Sequence, residues 1–195
     1  MNILLENAIE KYPVSCKLRD GVNCVVRPVG KGDVVDLQRL FLAVPEEERL
    51  FVKRPVTNRV LFQKWCQDAD FERNLPLLML DGKQVVGQAT LHQRNGGWKR
   101  HIGLVTTLTH PEYRGRDVAK ILVEQLVGIA REVALRSLEV EINGERDVTI
   151  RALEHLGFQR LYHLPDYILD MTAKTHDYIV MGMDLVTDEE FAGMG

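Results

Sequence analysis

The stretch Thr107–Lys120, TLTHPEYRGRDVAK, decides how this chain is read. A β-branched run ends at Thr109, His110-Pro111 stops it, and Gly115 stands just ahead of an apolar pattern with helical period. Val118, Leu122, Leu126, Ile129 and Val133 follow one another at steps of 4, 4, 3 and 4, so a long helix is expected from about Asp117 to Leu135. The first turn of such a helix has amide protons without intrahelical partners, and its dipole adds partial positive charge there. Gly115 has no Cβ to hold an anion away from the main chain. Arg114, Arg116 and Lys120 place three cations within seven residues. The corner therefore reads as an anion cradle, although an ordinary strand-to-helix loop with solvated basic residues would carry the same letters. Neither GxxxxGK[ST] nor GxGxxG occurs in the chain.

Upstream of this corner the pattern is a meander. Leu75–Leu80 reads as a strand, Asp81-Gly82 as a hairpin turn, Val85–His92 as the returning strand, and Asn95-Gly96-Gly97 as the turn into a third strand, Trp98–Thr109. Earlier still, residues 22–29 form a β-branched run. Asp33 is placed to cap a helix with apolar Val34, Leu37, Leu40, Phe41 and Val44, which Pro45 ends. Glu46-Glu47-Glu48 reads as a solvated acidic loop, and a second helix after Pro55 shows Val60, Leu61, Trp65 and Ala69 on its apolar face. Residues 1–21 read as an N-terminal extension carrying a small outer helix. Downstream of the long helix come a strand at Ser137–Ile142, a helix over 146–156 closed by Gly157, and two strands at Phe158–Leu164 and Tyr178–Leu185. The order β-α-α-β-β-β-α-β-α-β-β implies an α/β (α+β) domain. Its sheet is mixed, mostly antiparallel, of about seven strands, with helices on its faces.

Composition bounds the function. The 195 residues are 45% hydrophobic, enough for a single core without metal or disulfide staples. Lys+Arg 25 against Asp+Glu 28 leaves a net charge of −3, which excludes a strongly basic global field, so no nucleic-acid partner is expected. Cys16, Cys24 and Cys66 form no CxxC pair and read as reduced thiols. No apolar run approaches the ~18 residues of a membrane span, and the opening MNILLENAIEK carries acidic residues unlike a signal peptide. No membrane partner and a cytoplasmic location are expected.

Together with the element order, Arg114, Gly115, Arg116, Asp117, Val118 and Ala119 resemble the GCN5-related N-acetyltransferase (GNAT) superfamily, whose pyrophosphate loop reads Q/R-x-x-G-x-G/A. The resemblance extends over residues 22–187 and includes Leu156-Gly157-Phe158 after the last helix, leaving 188–195 as a flexible tail. It implies a GNAT-like acyl-CoA N-acyltransferase fold, with acetyl-CoA or another acyl-CoA as co-substrate and no metal. It also implies direct attack by a primary amine, either a small molecule or a protein lysine. The cofactor-binding residues it implies are Thr107, Leu108 and Thr109 beside the pantetheine arm, Arg114 through Lys120 (with Gly115, Arg116, Asp117, Val118 and Ala119) at the diphosphate, and Asn143. Residues 39–51, RLFLAVPEEERLF, are similar to the helix-loop before the acceptor groove of bacterial protein-lysine acetyltransferase domains, where Glu46-Glu47-Glu48 is also readable as attracting a cationic acceptor. A homodimer is left open.

The chain departs from the family pattern at three positions. Asp117 stands at the usual glycine; its charge opposes a diphosphate by about 1 kcal/mol per charge pair at 4 Å in water, while its carboxylate is free to turn outward and cap the helix. The tyrosine that commonly serves as proton donor, four residues before the Gly of Gly-Phe, is Leu153, and the common asparagine at that helix start is Arg146. Candidate replacements for the donor are Tyr162, Tyr167 and Tyr178, each also readable as packing. Candidate bases are Glu72, His92 and His101. His110 is expected to shape the loop, and Trp98 to pack or to line the acceptor groove. Leu153 and Asp117 also prompt a rival reading, a non-catalytic acyl-CoA-binding or sensing module.

Overall fold

The computed structural model describes residues 3–49, 58–67, 69–144 and 146–185. The tail at 188–195 and the turn at Pro55 lie outside them. In chain order the elements are α1 Ile3–Glu10, β1 Val14–Lys17, β2 Asn23–Pro28, a 3₁₀ turn Lys31–Asp33, α2 Val34–Ala43, α3 Glu46–Arg49, α4 Arg59–Gln67, β3 Asn74–Asp81 and β4 Gln84–His92. They continue with β5 Ile102–Thr109, a 3₁₀ turn Pro111–Tyr113, α5 Val118–Glu132, β6 Ser137–Asn143, α6 Asp147–His155, β7 Gln159–Leu169 and β8 Thr175–Asp184.

One sheet runs in the order β1-β2-β3-β4-β5-β6-β8-β7. Every pairing is antiparallel except that of β5 with β6, because the α5 crossover returns the chain in the same direction. Alternation along the strands sends one set of side chains to α1, α5 and α6, where Leu5, Leu122, Leu126, Ile129 and Phe158 are buried together. The other set meets α2 and α4 through Leu78 and Val85, packed with Leu40, Phe41 and Phe62. Phe41, Phe62 and Trp65 meet ring to ring at 5.0–5.6 Å between centroids.

The sequence reading needs correction at several places. Among the described residues the sheet has eight strands, since Val14–Lys17, read as part of the N-terminal extension, pairs with β2 as an edge strand. The third meander strand begins at Ile102, not Trp98, and Trp98 does not pack: it is 95% exposed. On α4 the inward residues are Phe62 and Cys66, while Val60 faces out. Asp33 makes no side-chain cap; its carboxylate grips Arg27 at 2.6 and 2.7 Å and accepts the Gly30 amide at 2.7 Å. The closing strands are longer than expected because their hairpin is tied at its tip. Asp170 Oδ1 accepts the Thr172 and Lys174 amides and the Thr172 hydroxyl, and Oδ2 lies 3.0 Å from His176 Nε2. Both side chains are buried.

The feature that positions the site is where β5 and β6 part. They pair at three positions only, Ile102 with Ser137, Gly103 with Leu138 and Leu104 with Glu139. Beyond Leu104, β5 stays with β4 as far as Thr109, and beyond Glu139, β6 stays with β8 as far as Asn143. Each strand is held by its outer neighbour, and the two halves of the sheet separate. Gly103 sits at this junction, and a Cβ there would lie 2.7 Å from Leu91, 2.8 Å from Leu138 and 2.9 Å from Leu135.

Two outcomes are expected. Gly103→Ala overpacks the junction and should cost about 1–3 kcal/mol, read as a lower urea midpoint with unchanged slope; an unaltered midpoint would show that the junction yields freely. The His176 hydrogen bond first, then those from Thr172, hold the Asp170 carboxyl well below its ordinary range. A carboxyl depressed in the folded state stabilises above its unfolded value of about 4 and loses that contribution as pH falls further. Asp170→Asn should therefore lower stability at pH 7 and flatten its decline below about pH 4, measured by thermal melts across pH.

Candidate active site

The parity of the β4–β5 ladder decides which main-chain groups face the gap. The His110 amide bonds the Val86 carbonyl at 2.9 Å, continuing a register in which Leu108 lies opposite Gln88 and Thr106 opposite Thr90. In an antiparallel pair such positions alternate. The N–H and C=O of Thr107 and Thr109 therefore turn away from β4, toward the side where β6 has departed. Leu108 lies between them and packs partly against the α2–α4 cluster.

From Thr109 the chain makes a corner tied at several points. The His110 ring caps the 3₁₀ turn by accepting the Glu112 amide at 3.3 Å, which bears out its loop-shaping role. Tyr113 donates its phenol proton to Asp81 Oδ2 at 2.8 Å; burial, then that bond, pushes its pKa up to about 12. Arg116 lies 4.9 Å over the Tyr113 ring and reaches Asp20 Oδ2 at 3.1 Å. Gly115 and Asp117 both take positive φ, +75° and +69°. The glycine usual in the family at position 117 is thus explained by backbone geometry, and Asp117 adopts the same left-handed turn. Its side chain makes no capping hydrogen bond, contrary to the expected outward cap. The Ile121 amide bonds the Asp117 carbonyl at 2.9 Å, so the amides of Val118, Ala119 and Lys120 precede the intrahelical ladder. Two left-handed residues on either side of Arg116, followed by three such amides, fit a diphosphate.

The three cations of this corner separate in space. Arg116 turns to Asp20, and Lys120 lies along α5 at 3.9 Å from Glu124. Arg114 grips Glu48 with both guanidinium nitrogens, at 2.8 and 3.0 Å, and Arg146 reaches the same carboxylate at 3.0 Å. Glu48 is therefore not in a solvated loop; its side chain is 23% exposed. Burial raises its carboxyl, but the Arg114 hydrogen bonds and the two guanidinium charges outweigh this and hold it below the ordinary range.

Register places a second group of side chains on one sheet face. His92 pairs with Leu104, Leu104 with Glu139, and two residues farther along come Thr106 on β5 and Glu141 on β6. His92 Nε2 lies 2.9 Å from the Thr106 hydroxyl and Nδ1 lies 2.7 Å from Asn74 Oδ1. On the other arm, burial raises the Tyr178 phenol, with the Glu141 carboxylate and the hydrogen bond between them next in weight. Tyr178 stacks with Tyr167 at 5.8 Å, and Tyr162 lies 6.3 Å from it with 41% exposure. Lys99 pairs with Glu139 at 2.9 Å. Asn143 ends β6, its carbonyl accepting the Arg146 amide at 3.3 Å.

Glu72 is not brought to this face. It lines a small cavity with Leu5, Gln93, Asn95 and Val133. Val133 follows α5, a helix of 15 residues and so about 22 Å long, at the end opposite the loop. His101 lies in the turn before β5, its carbonyl accepting the Arg136 amide at 2.9 Å. Leu153 is buried in the core beside Ile150, so the usual donor tyrosine has no counterpart there. The sequence pattern reads Glu48 only as part of an acidic loop and assigns no function to Arg146, Glu139 and Glu141. For the last two a signal existed: in Ser-Leu-Glu-Val-Glu-Ile the acidic residues alternate with the buried ones and share the opposite face.

The acetyltransferase (GNAT) family model matches residues 37–158. No curated protein sequence matches significantly. Among solved structures, the GNAT domain of S. lividans PAT superposes with a TM-score of 0.74 at 17% identity, over 90% of this chain and 98% of that one. The protein yncA of Salmonella typhimurium, solved with acetyl-CoA, gives 0.70 at 15% identity over 84% and 94% of the two chains. A ribosomal-protein-alanine N-acetyltransferase from Brucella melitensis gives 0.69 at 18% identity over 82% and 98%. With the strand order, the parted β5 and β6 and the loop at Arg114–Lys120 in place, this chain belongs to the GNAT family of acyl-CoA-dependent N-acetyltransferases.

Proposed function

We propose that the protein transfers an acetyl group from acetyl-CoA to a primary amine, borne by a cationic small molecule or a protein lysine. The observation that carries this reading is the pair of walls just beyond the β5–β6 junction, Thr106 with His92 on one side and Glu141 with Tyr178 on the other. Acetyl-CoA supplies an activated thioester. The amides of Val118, Ala119 and Lys120, with the approach left by Gly115, hold its diphosphate. The main-chain groups of Thr107 and Thr109 orient the pantetheine arm, with Leu108 and Asn143 at its flanks.

At the acceptor face Glu141 attracts the ammonium form of the amine and accepts its proton, which leaves a neutral nucleophile. Glu139 lies on the same face, its charge engaged by Lys99. Tyr162 and Tyr178 supply aromatic walls for an alkylammonium stem, and in the proposed mechanism the exposed Tyr162 phenol protonates the departing thiolate and recovers a proton from the acylated nitrogen. His92 fixes the Thr106 hydroxyl, so it acts as a positioning residue, while Glu72 has no part. No described helix is long and apolar enough to cross a membrane.

Free-thiol release from acetyl-CoA, measured against a panel of diamines, amino acids and lysine peptides, tests the assignment; coenzyme binding with no turnover on any acceptor would overturn it. Glu141→Gln should lower kcat/KM by about 10²-fold or more with little change in acetyl-CoA affinity, and unchanged turnover would remove Glu141 from the mechanism. Asp117→Gly relieves a left-handed non-glycine residue and removes a charge. It should raise stability by about 1 kcal/mol and leave acetyl-CoA affinity equal or tighter in calorimetry. A large loss of affinity would make the Asp117 carboxylate a ligand contact.

A further inference from the structure

Arg114 and Arg146 stand on the two lips of the gap. One belongs to the corner that follows β5, the other caps α6 just after β6, and beyond Leu104 and Glu139 these strands no longer pair. A single carboxylate, Glu48, reaches both, 66 residues before the first and 98 before the second. Its contacts are a two-pronged grip from Arg114 at 2.8 and 3.0 Å and a third bond from Arg146 at 3.0 Å. Two guanidinium groups converging on adjacent oxygens form a receptor for an anion with several coplanar or tetrahedral oxygens. A diphosphate offers more oxygens and more charge than a carboxylate.

Resting on the coenzyme site proposed above, we propose that Arg114 and Arg146 together clamp the diphosphate of acyl-CoA across the gap, and that Glu48 is an internal competitor the coenzyme must displace. Arg146 thereby takes a place where the family commonly carries asparagine. It does so with a charged two-pronged group that a neutral amide cannot imitate. Partial exposure keeps the competition mild: the three side chains are 23%, 44% and 38% accessible for Glu48, Arg114 and Arg146. An ion pair of that exposure holds well under the affinity of a coenzyme, so the carboxylate yields rather than blocks. Displacement also frees α3, which lies in the chain between α2 and α4, the helices packed on the face that carries Thr106 and Glu141. Coenzyme binding and the border of the acceptor face are therefore linked through one residue.

Calorimetric titration with CoA and with acetylpantetheine, which lacks the diphosphate, tests this on the full chain. Glu48→Gln should tighten CoA binding about five-fold, and Arg146→Gln should weaken it by a similar factor. Neither should alter acetylpantetheine binding, and both variants should melt close to the wild type. Wild-type binding of CoA with no response to either substitution, or weaker binding by Glu48→Gln, would overturn the clamp while leaving the coenzyme site intact. Failure of the wild type to bind CoA at all would overturn both. Should Glu48→Gln fold poorly, Arg146→Gln alone decides, because its loss of CoA affinity without loss of acetylpantetheine affinity has no other source in this proposal.

Discussion

Three residue pairs hold the two halves of the sheet together, Ile102–Ser137, Gly103–Leu138 and Leu104–Glu139, and everything functional follows from their small number. A parallel ladder is built from slanted bonds and is slightly weaker per residue than an antiparallel one. Here each strand also has a longer antiparallel neighbour, β4 for β5 and β8 for β6. Sheet twist accumulates independently in the two halves, and the short ladder cannot keep them flush beyond Leu104. The gap is thus a consequence of unequal pairing, with Gly103 allowing the tight junction from which it opens.

The gap exposes main-chain groups on a strand that is otherwise fully bonded, and it aims the start of α5 at the same place. That aim depends on the loop after β5 being rigid. Its anchors come from distant turns, Tyr113 on Asp81 of the β3–β4 hairpin and Arg116 on Asp20 of the β1–β2 hairpin. Two left-handed residues, Gly115 and Asp117, bend the chain so that the first amides of α5 lead out of the corner. Since the anchors sit on the β1–β4 side of the corner and the opening lies toward β6, the corner is held from behind and presented forward.

Charge is distributed by the fold rather than by the local sequence. Of the cations at the corner, one is spent on an anchor, one lies along its own helix, and one crosses to Glu48. Glu48 in turn brings Arg146 into the same group. The acidic residues of β6 face the opposite problem: the core takes Leu138, Val140 and Ile142, leaving Glu139 and Glu141 together on the open face. An overall net charge of −3 says nothing of either arrangement, because both are local and of opposite sign.

The strands of the meander, the period of α5, the Gly157 stop at φ +93° and the loop motif were legible in the sequence because each is a short-range property. Alternation needs neighbours two apart and a helix needs neighbours four apart. What only the tertiary structure decided are the relations between segments far apart in the chain. They include the edge pairing of Val14–Lys17, the inward face of α4, Glu72 at the far end of α5, and Glu48 between two arginines. A residue's partner across tens of positions depends on where the sheet divides, and that division is set by competition among strand pairings, which no local window of sequence contains.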